Sequence, residues 1–126
     1  MYKTVVDSSL KIKVNAGKFE ADYALDGSAM NPLEAFYASL AACAAVFTKK
    51  ACKSLGISPV GVEIDCKPFA GSGGPLTLSK FRTEVRFPAE FTAEQKAAII
   101  DSIEHCAVKE IVKTGASVEF QVEEVA

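Results

Sequence analysis

The residues of this chain that are best suited to chemistry are its four cysteines, Cys43, Cys52, Cys66 and Cys106. None of them forms a Cys-x-x-Cys pair, and His105 is the only histidine. This spacing does not favour a structural zinc site, and we predict neither a bound metal nor another cofactor. The chemistry that remains open to these residues is that of reactive thiols, in which the thiolate is the nucleophile.

Cys43 and Cys106 are the two cysteines whose sulfurs could meet. Cys43 lies in a long apolar helical stretch and Cys106 on an apolar stripe with Ile99 and Ile103, so both should point toward the core. On spacing alone, such cysteines more often serve packing, and apolar surroundings raise the pKa of a thiol. A reactive Cys43 needs a cation from elsewhere in the fold, because it lies about three turns into its helix and the helix dipole fades within one turn. His105 could supply charge, although a lone surface histidine is more often simply solvated.

The stretch that carries Cys43 predicts one long helix between Asn31 and Gly56. No charge occurs between Glu34 and Lys49, and alanine is frequent there, which favours helix. Asn31 is suited to the N-cap and Gly56 to the C-terminal end of this helix. Because a helix that is apolar on every side has no solvent face, the rest of the protein must cover it.

Strands are predicted on both sides of this helix. Residues 2–26 alternate apolar and polar side chains and predict a β-meander of two or three strands, with a turn at 15–17. Residues 60–67 and 80–87 alternate in the same way, and a glycine-rich loop joins them. These two strands should form an antiparallel β-hairpin.

The C-terminal part predicts a second helix and a last strand. Thr92 and Gln95 have the spacing of a capping box, and the helix that they open should continue through Cys106. Residues 117–125 alternate again and predict the last strand. The order of strands, helix, hairpin, helix and strand predicts an α+β fold, with a single domain over residues 1–126.

Composition excludes several classes of partner. Fourteen basic and sixteen acidic residues give a net charge of −2, which favours neither nucleic acid nor a membrane surface. The uncharged part of the apolar stretch is shorter than the roughly 20 residues that a bilayer requires. No basic segment with a cleavage site precedes it, so we expect a cytoplasmic protein with reduced thiols.

Three short motifs carry a resemblance to a known family: Asn31-Pro32-Leu33-Glu34, Ala41-Ala42-Cys43 and His105-Cys106-Ala107-Val108. Together with the order of elements over essentially the whole chain, they resemble the OsmC/Ohr family of osmotically induced and organic-hydroperoxide-resistance proteins. The resemblance implies an OsmC-like fold in which two chains intertwine as a homodimer. Such a dimer would provide cover for the charge-free first helix.

The resemblance also implies an enzyme, a thiol peroxidase. Cys43 would be the peroxidatic thiolate that attacks an organic hydroperoxide and becomes a sulfenic acid. Cys106 would be the resolving thiol that forms a disulfide with it, and an external dithiol of lipoyl type would reopen that bond. Glu34 would have an orienting role at the start of the helix. The residues implied to line the substrate pocket are Phe36, Tyr37, Leu40, Phe47 and His105.

The chain differs from the organic-hydroperoxide members in the basic residue that would activate the thiolate. Those members use an arginine from the N-terminal strands to activate the thiolate, whereas residues 1–81 contain no arginine here. Lys11, Lys13 or Lys18 are the candidate substitutes, although lysine lacks the planar fork of arginine. Two alternatives therefore stay open: a non-catalytic OsmC-like dimer that binds a small apolar ligand, and a redox-sensing protein.

Overall fold

The computed structural model describes residues 1–124, apart from the side chains of residues 75–77. In this part of the chain the elements follow in the order β1 (Lys11–Ala16), β2 (Phe19–Ala24), α1 (Pro32–Leu55), β3 (Glu63–Gly71), β4 (Gly74–Arg86), α2 (Ala93–Ile103) and α3 (Ala107–Thr114). Hairpins and helices thus share one chain, and the predicted α+β class is confirmed. None of the described helices is long and apolar enough to cross a membrane.

The N-terminal strands form a hairpin rather than a full meander. β1 pairs antiparallel with β2, and the turn contains Gly17 at φ 61°, a left-handed conformation that glycine adopts at little cost. The turn begins at Gly17, the last residue of the predicted 15–17, because Asn15 and Ala16 still belong to β1. The segment before β1 contributes a single bridge, in which Lys3 and Asn15 exchange backbone hydrogen bonds of 2.9 and 2.8 Å.

The predicted second hairpin is confirmed and is longer than the sequence pattern indicated. β3 and β4 form a two-stranded sheet that extends to the two residues 72–73 at its turn. At its open end Arg86 donates to Glu63 Oε2 at 3.0 Å and to Asp65 Oδ2 at 2.6 Å. All three side chains are half exposed or more, so these ion pairs contribute little to stability.

Helix α1 begins and ends where local signals place it. Asn31 Oδ1 accepts the Glu34 backbone N–H at 2.9 Å, and Glu34 Oε1 accepts the Asn31 N–H at 3.1 Å. This reciprocal arrangement satisfies two of the donors at the helix start. At the other end Gly56 adopts φ 69°, the left-handed conformation that terminates helices.

Only one stripe of α1 is buried, which differs from the prediction that the whole helix is covered. The buried residues recur every fourth position, as Leu40, Ala44, Thr48 and Cys52. Val46, away from this stripe, is 48% exposed. The single chain therefore covers one face of the helix and leaves other apolar side chains in water.

The predicted second helix is two helices separated by a turn. Thr92 and Gln95 form the expected capping box, with reciprocal hydrogen bonds of 3.1 and 2.9 Å. Helix α2 nevertheless ends at Ile103, whose carbonyl accepts the Cys106 N–H at 3.0 Å, and Cys106 becomes the N-cap of α3. The prediction of one continuous helix through Cys106 was therefore wrong. It rested on an apolar spacing of three and four residues, and this spacing continues across the turn although the helix does not.

The predicted last strand does not form within residues 117–124, and Val125 lies outside the described residues. Val118, Phe120 and Val122 keep the alternating pattern of a strand, but all three are exposed. A strand needs hydrogen bonds to a neighbouring strand. The described part of the chain provides none for this segment, so the alternation alone does not produce a strand.

The chain divides into two compact units. The first contains Met1–Ser39 and Cys66–Thr83, and the second contains Leu40–Asp65 and Glu84–Ala126. Helix α1 and the β3–β4 hairpin each contribute residues to both units. The single domain predicted over the whole chain stays a prediction.

The main core of the second unit joins α1 to α2. Its buried members are Cys52, Phe91 and Ile99, and partly buried residues that include Phe87 and Ile103 pack against them. The rings of Phe87 and Phe91 lie 5.6 Å apart between centroids. This packing fixes the C-terminal half of α1 against α2, the helix that leads to Cys106.

Candidate active site

Cys43 and Cys106 are joined by a disulfide bond within the second unit. Their Cα atoms lie 6.1 Å apart, inside the range of about 4.4–6.8 Å that disulfides span. The bond connects the middle of α1 to the start of α3 across a sequence separation of 63 residues. The two sulfurs that the sequence suggested could meet therefore do so.

The two sulfurs of this bond differ in position and exposure. Cys43 is half-buried in the body of α1. Cys106 is only 2% exposed and is the N-cap of α3, where its side chain makes no capping hydrogen bond. The first hydrogen bond of α3 runs from the Glu110 N–H to the Cys106 carbonyl at 3.0 Å. The N–H groups of the three preceding residues, 107–109, have no hydrogen-bond acceptor within the helix.

A side-chain hydrogen bond lies close to the disulfide and was not anticipated from the sequence. Ser102 Oγ in α2 donates to the Phe47 carbonyl of α1 at 3.1 Å, and the contact is partly buried. Phe47 follows Cys43 by one helical turn, and Ser102 precedes Cys106 by four residues. The hydrogen bond and the disulfide therefore join the same two stretches of chain side by side. A serine has many roles in helices, so its type and spacing alone carried no signal for this contact.

Helix α3 has few other attachments. None of its residues is buried. Lys109 Nζ donates to the Glu104 carbonyl at 3.0 Å and to Glu110 Oε1 at 3.1 Å, both in exposed positions. These contacts join α3 to itself and to the turn between α2 and α3, and not to buried core residues. The disulfide at Cys106 links the start of α3 covalently to α1.

Glu34 and His105, two of the predicted site residues, are both engaged locally. The Glu34 carboxylate is exposed and accepts the Asn31 amide at the start of α1. His105 is exposed, and its Nδ1 lies 2.8 Å from the Asp101 carbonyl, which fixes that nitrogen as the protonated donor. The site roles predicted for these two residues stay predictions.

The predicted pocket aromatics Phe36 and Tyr37 belong to the first unit, where they cluster with Phe81 of β4. The ring centroids lie 6.3 Å apart for Phe36 and Tyr37, 5.9 Å for Phe36 and Phe81, and 5.8 Å for Tyr37 and Phe81, and the ring planes are inclined to one another. Such inclined contacts favour aromatic packing beyond the area that they bury. Phe36 remains 39% exposed, so the cluster presents an aromatic surface to solvent.

The predicted pocket residues Leu40 and Phe47 belong to the second unit. Leu40 is buried, and Phe47 is half-buried with Lys50 Nζ lying 4.9 Å from its ring centroid. The pocket predicted from the sequence therefore draws on residues of both units. As a single pocket it stays a prediction.

The candidate activating lysines all lie in the N-terminal hairpin of the first unit. Lys13 pairs with Glu20 at 3.5 Å, and Lys18 lies 5.3 Å from the ring centroid of Phe19. Lys11 and Lys13 also line an open groove of about 560 Å³ beside this hairpin. The groove contains none of the predicted pocket residues. The activation of Cys43 by one of these lysines stays a prediction.

The other two thiols are poorly suited to redox chemistry. Cys52 is fully buried, and burial raises the pKa of its thiol. Cys66 is half-buried; burial raises the pKa of its thiol, and a hydrogen bond with Thr83 opposes that rise. A raised pKa leaves less thiolate at neutral pH and so less nucleophile. Within the described residues, no group of three histidine, cysteine or acidic side chains is placed to hold a metal ion.

Comparisons with known proteins identify the family and the fold of the chain. The protein-family model described as OsmC-like protein matches residues 25–121. No curated protein matches the sequence significantly. Among solved structures, an OsmC-like protein from Mycoplasma pneumoniae superimposes with a TM-score of 0.73 at 12% identity, over 90% of this chain and 86% of the other.

Two further solved structures have hydroperoxide resistance in their names. An OsmC-like hydroperoxide resistance protein from Jannaschia sp. aligns with a TM-score of 0.62 at 17% identity, over 96% of this chain and 89% of the other. An organic hydroperoxide resistance protein from Legionella pneumophila aligns with a TM-score of 0.58 at 19% identity, over 90% and 88%. At these identities the likeness establishes the fold.

Proposed function

Because the chain belongs to the OsmC family, we propose that it is a thiol peroxidase that reduces organic hydroperoxides through Cys43 and Cys106. The observation that carries the proposal is the disulfide between these residues. A two-cysteine peroxidase passes through such a disulfide in every catalytic cycle. The hydroperoxide resistance named for two proteins of the same fold supports the choice of substrate class.

The proposed reaction begins from the reduced pair. The Cys43 thiolate attacks the terminal oxygen of the hydroperoxide, the O–O bond breaks, and the alcohol leaves after taking up a proton. Cys43 is then a sulfenic acid, which condenses readily with a nearby thiol. Cys106 attacks its sulfur and expels water, which forms the disulfide. Two electrons from an external dithiol, in a reducing cytoplasm, restore both thiols.

The exposure of the two cysteines supports this division of roles. The peroxidatic sulfur must be reached by a substrate from solvent, and Cys43 is the more exposed of the two. The resolving sulfur needs to reach only Cys43, which the nearly inaccessible Cys106 does. Glu34 is assigned an orienting role, because its carboxylate fixes the first turn of the helix that carries Cys43.

Titration of free thiols tests the proposal directly. The fully reduced chain has four thiols, and one equivalent of cumene hydroperoxide should leave two, because Cys43 and Cys106 form one disulfide. Cys43→Ser should lose none of its thiols. Cys66→Ser is the matched control, because it removes a cysteine outside the pair and should still lose two.

The contrary outcomes distinguish the alternatives. Four thiols that persist in the folded wild-type chain would overturn the peroxidase assignment. Saturable binding of an apolar ligand by that same unreactive chain would then favour the binding protein. A sulfenic acid that persists on Cys43 without loss of Cys106 would contradict the resolving role.

We also propose that the protein is a homodimer, which is supported by its unpaired apolar segments. Phe120 is 92% exposed, and Val118 and Val122 on the same alternation are 75% and 96% exposed. Their alternation suits a strand that lacks a partner, and Val46 on α1 adds exposed apolar surface. Large exposed apolar patches usually mark interfaces, and these exposed side chains are candidates for one. A second copy can supply both the missing strand partner and the missing cover.

Analytical ultracentrifugation tests the homodimer. The wild-type chain should sediment as a dimer, and Phe120→Glu should weaken association at least tenfold because it places a charge in the contact. Glu119→Gln is the matched control, because it alters the neighbouring polar position of the same segment. A monomeric wild-type chain at micromolar concentration would contradict the proposal.

A further inference from the structure

We infer that the external reductant attacks Sγ of Cys43, not of Cys106, and that Cys106 leaves as the thiolate. This inference rests on the proposed function, in which a dithiol reopens the Cys43–Cys106 bond. Thiol–disulfide exchange can occur at either sulfur of a disulfide, and the two choices lead to different mixed disulfides. The two ends of this bond differ in access and in the stability of the leaving thiolate.

Access favours Cys43 as the attacked sulfur. Cys106 is 2% exposed, whereas Cys43 is only half-buried. The attacking thiolate must approach its sulfur on the side opposite the bond that breaks, so it needs free space there. A reductant carried on a larger molecule can meet that requirement more readily at Cys43. Attack at Cys106 would first require the groups that bury it to move away.

Leaving-group stability favours Cys106 as the thiolate that departs. Cys106 is the N-cap of α3, and its side chain makes no capping hydrogen bond while the disulfide is intact. Once the bond breaks, the negative charge is on the N-cap residue of α3, whose first-turn amides have no helical acceptor. A negative charge at a helix N-terminus is stabilised by those amides and by the helix dipole. A thiol with a lower pKa leaves faster. The helix start favours departure of the Cys106 thiolate, whereas the burial of Cys106 opposes it, because burial raises the pKa of a thiol.

The same reasoning disfavours the opposite choice. If the reductant attacked Cys106, the thiolate would appear on Cys43, about three turns into α1, where the amides are already hydrogen-bonded within the helix. That thiolate would lack the helix-start stabilisation that Cys106 receives. Access therefore selects Cys43 as the attacked sulfur, and the helix start at Cys106 acts in the same direction.

The step balances with a dithiol as its only co-reactant. One thiolate of the dithiol forms a bond to Cys43 Sγ, the Cys43–Cys106 bond breaks, and its electron pair remains on Cys106 Sγ. The second thiolate of the dithiol then attacks the sulfur bound to Cys43. This closes the oxidised reductant as a cyclic disulfide and releases Cys43 as a thiolate. The two protons lost by the dithiol balance the two thiolates, which become thiols as they are protonated.

One consequence is that peroxide and reductant reach the same sulfur. Cys43 is oxidised by the hydroperoxide and later attacked by the dithiol, while Cys106 reacts only with Cys43. The second half of the cycle therefore needs no separate opening toward Cys106. Helix α3 can remain in place while the reductant enters.

Trapping the mixed disulfide tests this direction of attack. The chain is oxidised with diamide, so that the experiment does not depend on the peroxide reaction, and is mixed with the monothiol 2-mercaptoethanol. Acid quenching within the first few per cent of reaction, alkylation with N-ethylmaleimide and peptide mass spectrometry then locate the adduct. We expect at least tenfold more adduct on the Cys43 peptide than on the Cys106 peptide, with the alkyl label on Cys106.

Two controls make the result decisive. In guanidinium chloride, where the fold is lost, the adduct should divide between the two peptides within about twofold. Cys66→Ser removes a half-buried bystander thiol and should leave the folded ratio unchanged. An equal or reversed ratio in the folded chain would overturn the inference without affecting the peroxidase proposal. Unchanged thiols with cumene hydroperoxide would overturn the peroxidase proposal alone.

Discussion

Helices α2 and α3 follow one another in the chain but are stabilised in different ways. Helix α2 has a complete capping box at Thr92 and buries Ile99 fully in the core of the second unit. Helix α3 has no side-chain cap and buries none of its residues. Its N-cap, Cys106, is instead joined to α1 by the disulfide, and only Val108 and Lys109 of the helix are partly buried.

This difference shows how one part of a small protein can depend on redox state while its neighbour does not. Burial holds α2 whether or not Cys43 and Cys106 are oxidised, because neither of these two cysteines belongs to the core around Ile99. A covalent bond holds α3, and the proposed catalytic cycle makes and breaks that bond. The following four changes test this comparison, in order of decreasing expected effect.

Reduction of the disulfide should have the largest effect. For a sequence separation of 63 residues, the loop-entropy relation predicts a loss of about 4 kcal/mol in the free energy of unfolding. Urea unfolding of the oxidised and reduced chains measures this loss. Hydrogen exchange should show a larger loss of protection in α3 than in α2. Equal loss of protection in both helices would contradict the comparison.

Substitution of the buried isoleucine of α2 should come next. Ile99→Ala should lower the free energy of unfolding by about 3 kcal/mol, because it removes buried methyl groups and leaves a cavity. Ile111→Ala on α3 is the matched control, and its exposed side chain predicts a change of about 0.5 kcal/mol or less. Denaturant unfolding of the oxidised chains distinguishes the two. Similar losses for both variants would mean that α3 is packed after all.

Removal of the α2 cap should have a smaller effect. Thr92→Ala deletes the oxygen that accepts the Gln95 N–H, and should cost about 1 kcal/mol in thermal or denaturant unfolding. Gln95→Glu is the control, because glutamate also completes a capping box and should cost much less. If Thr92→Ala left stability unchanged, the cap would not contribute to the stability of α2.

Protonation of Glu110 should have the smallest effect and should be confined to α3. A hydrogen bond from Lys109, together with its charge, lowers the pKa of Glu110 below its ordinary 4.5. Because the pKa of Glu110 is lower in the folded state, its ionised carboxylate stabilises the fold at any pH above the unfolded-state pKa. This stabilisation is lost as the pH falls through the folded-state pKa. Amide exchange in α3, corrected for its intrinsic pH dependence, should therefore accelerate below about pH 4.5. Glu110→Gln should remove that dependence, and an unchanged pH profile in this variant would refute the assignment.

The sequence predicted those features of the fold whose causes lie within a few residues. Asn31 and Gly56 bound α1 as expected, because capping is a local interaction. The Thr92–Gln95 capping box is likewise confirmed. The meeting of Cys43 and Cys106 was also anticipated, because each lies on an apolar stripe that turns toward the core.

The features that the sequence did not predict depend on non-local contacts. The stripe through Ile99, Ile103 and Cys106 has helical spacing, yet the chain turns between the last two residues. The periodicity of apolar residues cannot reveal a break in a helix when the same spacing continues on both sides of the break. Val118 and Phe120 have strand spacing, but a strand forms only where a partner is available. The contact between Ser102 and Phe47 spans 55 residues and left no local pattern.

The position of the disulfide also has a practical consequence for detecting the protein's state. Cys43 and Cys106 stand 63 residues apart in a chain of 126, so the bond ties half of the polypeptide into a closed ring. A denatured chain with such a ring occupies less volume than the open chain. The oxidised form should therefore migrate faster than the reduced form in a non-reducing denaturing gel. The redox state could then be read by gel mobility in cell extracts in which thiols were blocked at lysis.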